Sequence, residues 1–125
     1  MRTRSANHED YVLRLIRQAA DALRRFRLRL AGADHAPAAV RHDAAAAVQA
    51  LLGADAPLLA RLDAGSAARL VGDPQRVALW HGLLDVEAAA AHAEGDVGGA
   101  AAGRERAAAL RAAAGALWPD QAVTS

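Results

Sequence analysis

His81, Asp85 and His92 come nearest, in this 125-residue chain, to residues whose types and spacing could do chemistry. On one helix, offsets of four and eleven bring the three side chains near a common face, and imidazole nitrogens with a carboxylate are ligands that zinc accepts. Ligands two turns apart converge on one ion only with a partner from another helix, and His42 with Asp43 is what the sequence offers for that role. A solvated polar stripe explains the same residues more simply, so no metal or other cofactor is expected. The glycines of "GDVGGAAAG" invite comparison with a phosphate-cradling loop. Such loops follow a strand, whereas the residues before Gly95 read as helix, and no lysine follows. Nucleophiles are scarce: Ser5, Ser66, Ser125, Thr3 and Thr124, besides Tyr11. "AGSAA" lacks the nucleophile-elbow pattern, and Ser66 reads as a helix cap. Asp85, Glu87, Glu94 and Asp96 could move protons, but nothing in the sequence pairs them in a pocket. An enzyme is therefore the disfavoured reading, with a metal-dependent one as its most concrete form.

The other chemically distinctive group is cationic. All fifteen basic residues are arginine, which together with the alanine content points to a GC-rich bacterial coding sequence. The net charge of +1 conceals polarity, because residues 1–30 hold eight arginines against three acids and the remainder holds seven against eleven. Within "DYVLRLIRQAADALRRFRLRL", Val12, Ile16, Ala19, Leu23, Phe26 and Leu30 recur at spacings of four and three, a heptad-like apolar seam. Arg14, Arg17, Arg24 and Arg25 occupy the other side, with Asp10–Arg14 and Arg17–Asp21 placed as supporting i,i+4 pairs.

Around these residues the sequence predicts an all-α domain of about five helices spanning 1–125. The hydrophobic fraction of 54% is mostly alanine, so burial must come from close helix approach rather than bulk. The first helix is expected over 10–31 and the second over 37–52, with Gly53 as its stop. A short helix follows Asp55, and another turn or two run up to Gly72. Asp73 with Pro74 opens a long helix to about residue 94, and a last helix covers 97–117 before Pro119. Residues 1–9 and 118–125 are expected to be flexible ends. Gly95, Gly99 and Gly103 are expected on one helix face, admitting the alanine-rich helix before them. Trp80 and Trp118 read as core fillers. There is no cysteine, no signal-peptide pattern and no apolar run long enough to span a bilayer, which predicts a soluble cytoplasmic protein.

The stretch 92–110, "HAEGDVGGAAAGRERAAAL", resembles the turn and second helix of a tetratricopeptide repeat, with Gly95, Asp96, Ala100, Ala107 and Leu110 on the pattern. Leu84, Glu87, Ala88 and Arg104 depart from it, and one hairpin over 73–117 cannot form a superhelix. With "DYVLRLI" near the start, the chain as a whole resembles a family of small bacterial all-helical proteins. That resemblance implies the order of elements and no activity.

The function these features predict is a non-enzymatic helical interaction or assembly module that binds a protein partner, its own copy included. Arg14, Arg17, Arg24, Arg25, Phe26 and Leu30 are the expected interaction residues. The antiparallel arrangement is expected for a dimer of first helices, because it sets Asp10 and Asp21 against the partner's arginines. The alternative is an anionic-surface binder, at a membrane or at nucleic-acid phosphates, acting through the same arginines. Nucleic acid is the weaker form, since four scattered aromatics offer no stacking surface.

Overall fold

The computed structural model describes residues 2–32 and 36–124, with side chains described for 8–32 and 36–121. Every regular element among them is helical: α1 (Arg2–Ala31), α2 (Pro37–Leu52), α3 (Ala56–Arg61), α4 (Ala64–Val71), α5 (Pro74–Ala93), α6 (Val97–Leu117) and α7 (Pro119–Thr124), with a 3₁₀ turn at Gly53–Asp55 before α3. Five of these have eight residues or more, which is the all-α architecture expected.

Helix ends follow local chemistry. Pro37 and Pro74 sit in first turns, where the missing N–H has no intrahelical partner to lose. The Asp73 carboxylate accepts from the backbone N–H groups of Gln75 and Arg76, capping α5. At α4 the cap is Asp63 rather than Ser66. Asp63 accepts from the Ser66 backbone N–H at 3.0 Å and from its hydroxyl at 2.7 Å, so Ser66 lies inside the first turn. These bonds hold the Asp63 carboxyl below its ordinary pKa. Helix reaches into both ends of the chain: α1 continues back to Arg2, and α7 starts at Pro119, where the sequence had suggested a stop. Met1 and Ser125 lie outside the described residues.

α5 is central. Val77, Trp80, Leu83, Val86, Ala88, Ala90 and Ala91 are buried around most of its circumference, because α1, α2 and α6 each take one of its faces. α2 runs antiparallel to α1, with Arg29 and Asp43 joined at 2.9 Å near their connection. α4 packs on α6, and α3 is tied to α6 by Arg106, whose Nη2 donates to the Leu59 carbonyl at 2.9 Å. From the first long helix, Ala19, Ala22, Leu23 and Phe26 enter the core, with Leu30 half-buried against it.

The glycines of the α5–α6 hairpin serve three different purposes, not the single one expected. Gly95 has φ +87° and makes the turn, a conformation most side chains resist. At Gly99 a Cβ would run into the Asp96 carboxylate and the Arg41 guanidinium. Gly103 alone performs the expected close approach, since its Cβ would stand 3.1 Å from that of Ala88.

Candidate functional site

The surface that the sequence singles out is α1, whose geometry follows from a length mismatch. At about 1.5 Å per residue, a 30-residue helix outreaches a 16-residue neighbour by roughly 20 Å. α2 covers α1 from about Ala19 onward. Toward its N-terminus α1 is bordered by Val71, at the end of α4, and by Asp73, Gln75 and Arg76 at the start of α5. The apolar seam therefore divides. Ala19, Leu23 and Phe26 are core, while Val12 and Ile16 are half-covered and line an open groove of about 470 Å³.

Phe26, expected at an interaction surface, is 6% exposed and packed in the core, so it could contact a partner only if α1 came away. The large apolar side chains that do reach solvent on α1 are Tyr11 at 52%, Leu13 at 45% and Leu28 at 69%. Leu28 and half-buried Leu79 of α5 border a second groove of about 440 Å³ with Ala20, Leu23, Arg24 and Arg27. Leu13 and Leu28 were absent from the expected set because neither falls on the seam of inward positions. Their solvent position on a helix with that inward face was nevertheless the available signal.

Arg14, Arg17, Arg24 and Arg25 are all exposed. Arg24 pairs with Asp21 at 3.3 Å, three residues back, and neither expected i,i+4 pair closes to ion-pair distance. Both members are well exposed, so the bond adds little. Arg14, Arg17 and Arg25 make no ion pair among the described residues.

His81, Asp85 and His92 are not drawn together. Asp85 is held by Arg111 at 2.7 Å, His92 is exposed, and among the described residues no group of three or more His, Cys, Asp or Glu is placed to hold a metal. His81 is half-buried with an unpartnered Nδ1. Burial and the Arg111 charge push its pKa down, against a smaller upward pull from Asp85. His42 is exposed, and Asp43 is engaged by Arg29.

The hairpin turn carries an ion-pair clamp that the sequence did not suggest. Arg41 of α2 reaches Glu94 at 3.2 Å and Asp96 at 2.9 Å. Asp96 also accepts from the Gly99 N–H, capping α6; that bond first and the Arg41 guanidinium second hold its carboxyl below the usual range. Arg41 is correspondingly raised. The arrangement fixes the turn to α2.

Compared with models of protein families, with curated proteins and with solved structures, the chain matches none. Among the described residues no helix is long and apolar enough to cross a membrane.

Proposed function

We propose that this chain is a non-enzymatic helical interaction module that pairs with a second copy of itself along the outer edge of α1. The observation that carries the reading is the uncovered apolar edge: Leu13 and Leu28 project to solvent beside two open grooves on the same helix. Glu9, Leu13, Ile16, Ala20 and Arg27 follow one another at spacings of four, three, four and seven, a second stripe, exposed or half-covered throughout, rotated from the core-facing one. In an antiparallel pair centred between Ile16 and Ala20, Leu13 of each copy lies over the Ala20 and Arg24 rim of the other's groove and Glu9 meets Arg27. Two-fold symmetry makes each contact twice. A parallel pair stacks arginine on arginine. The buried Ala100, Ala107 and Leu110 support treating α5–α6 as a packed tetratricopeptide-like hairpin that carries α1 rather than as a binding surface itself. A cytoplasmic location is part of the same reading and rests on the cysteine-free composition.

Sedimentation equilibrium tests the pairing. Wild type is expected to dimerise, Leu13→Arg to be monomeric, and Glu9→Arg or Arg27→Glu each to weaken association, with the double exchange restoring it. A wild type that stays monomeric in low and moderate salt, or a double exchange as weak as the single changes, rules out this interface. The unpaired Arg14, Arg17 and Arg25 favour a second reading, an anionic-surface binder, for which salt-sensitive binding to acidic vesicles or DNA is the test.

A further inference from the structure

A cavity of about 330 Å³ opens between α2, α3, α5 and α6, with no residue of α1 in its lining. Three alanines, at positions 45, 56 and 60, leave it unfilled where leucines would close it, and Val48, Leu52 and Trp80 give it apolar walls. Two charged side chains share this lining and do not satisfy each other. Glu87 is half-buried and makes no hydrogen bond or ion pair among the described residues; burial lifts its carboxyl above the ordinary glutamate range, with Arg41 pulling weakly the other way. Arg106 lies 5.4 Å from the centre of the Trp80 ring and gives one N–H to the Leu59 carbonyl, yet has no acidic partner among the described residues. Holding a desolvated carboxylate in an apolar recess works against folding unless something meets it.

The geometry points to a small zwitterion with an apolar body, the chemistry of an α-amino acid such as leucine, as the occupant of this cavity. Its ammonium meets Glu87, its carboxylate takes the remaining Arg106 donors, and its side chain lies against Val48, Leu52 and the Trp80 ring. Charge complementarity selects this class. An amine without a carboxylate leaves Arg106 unanswered and sets a cation near it, and an acid without an amine does the same to Glu87. The volume suits a metabolite-sized molecule, at the small end of the roughly 300–1,000 Å³ typical of ligand pockets, and excludes a peptide helix. The inference is independent of self-association, because no lining residue belongs to α1.

The test is calorimetric titration of the full-length chain with L-leucine, 3-methylbutylamine and 4-methylpentanoic acid, with the Trp80 indole N–H shift in NMR spectra locating any binding. Leucine is expected to bind saturably in the millimolar range and to move the Trp80 signal, and the amine and the acid to bind about tenfold or more weakly. Glu87→Gln, which removes a desolvated charge and so keeps the fold, is expected to weaken leucine by a similar factor. No saturable binding of leucine, equal binding of either half-ligand, a Trp80 signal that stays fixed, or leucine binding indifferent to Glu87→Gln would each overturn the proposal.

Discussion

Leu23 and Gly82 set how α1 lies on the molecule, and a double-mutant cycle between them measures that contact. A Cβ on Gly82 would stand 2.9 Å from Leu23 Cδ2 and 3.6 Å from Arg27 Nη2. Leu23 is 7% exposed, so Leu23→Ala removes buried carbons and leaves a partly unfilled space, costing about 2–5 kcal/mol. Gly82→Ala alone gains about 1 kcal/mol of helix propensity, and it must push aside a packed leucine, which costs about 1–3 kcal/mol. The net is near zero or unfavourable. In the Leu23→Ala background the obstruction is gone and the new methyl occupies part of the vacated space, so Gly82→Ala stabilises by its full propensity gain and more. The coupling is therefore expected to be at least about 1 kcal/mol, well outside the additivity of independent sites. Urea unfolding of the four proteins gives it directly, with equal m-values confirming that the transitions are comparable. If Gly82→Ala changes stability equally in both backgrounds, α1 does not seat on α5 through this notch. Leu23→Asp extends the argument: a carboxylate at this buried site should collapse stability by several kcal/mol. An unchanged melting temperature would show the seam to be exposed and would return it to the membrane-surface reading.

Four further outcomes follow from the titrating groups and the turn. Because burial raises the Glu87 pKa in the folded chain, its penalty is absent below the ordinary glutamate range and complete above the raised value; Glu87→Gln should therefore match wild type in acid and exceed it in thermal stability at neutral pH. Asp96 is shifted the other way, so its contribution is whole above the ordinary aspartate range and lost as pH falls through the lowered value. The acid limb of the melting-temperature curve should accordingly be flatter in Asp96→Asn. Gly98 is helical with nothing within 4 Å of a new Cβ, so Gly98→Ala should stabilise by up to about 1 kcal/mol. Gly95→Ala, at φ +87°, should instead cost about 1–2 kcal/mol, and chemical denaturation separates the two.

The sequence carried the helices whose ends are written in local chemistry. Pro37, Gly53, Asp73 with Pro74, and Asp96 each mark a boundary through a missing donor, a tolerated φ or a capping carboxylate: α2, α5 and α6 begin, and α2 ends, where those residues stand. The start of α1 has no such mark. Its first turn holds no acid, and the chain around Thr3 to Glu9 is polar, so the apolar period suggested a beginning at Asp10, whereas the helix extends eight residues further. The cap of α4 is ambiguous in the sequence for a related reason. Asp63 and Ser66 are both good capping residues three apart, and choosing between them requires the backbone: Asp63 is extended, at φ −63° and ψ 159°, whereas Ser66 is helical.

The candidate surfaces were less legible, because each depends on what stands opposite a residue rather than on the residue. A seam from Val12 to Leu30 reads as one apolar face, and periodicity cannot say that α2 covers it only from about Ala19 onward. That boundary is set by the lengths of two helices and their antiparallel alignment, and it moves Phe26 from interface to core while leaving Leu13 outside. The cavity beside Glu87 is a stronger case. Ala45, Ala56 and Ala60 come from different turns of the chain and make a recess only after α2, α3 and α5 pack, so no local pattern announces it. What the sequence did hold was the anomaly itself. Glu87 stands at an inward spacing of α5, one turn beyond Leu83 and Leu84, where the neighbouring inward positions are apolar. A carboxylate in that place opposes folding unless a cation answers it; Arg41 acts on it only weakly, and Arg106, the cation of the lining, is turned toward Trp80 and the Leu59 carbonyl. On the proposed reading that charge is met by a ligand, which is why this recess, and not the histidine stripe or the glycine turn, is the place to look for one.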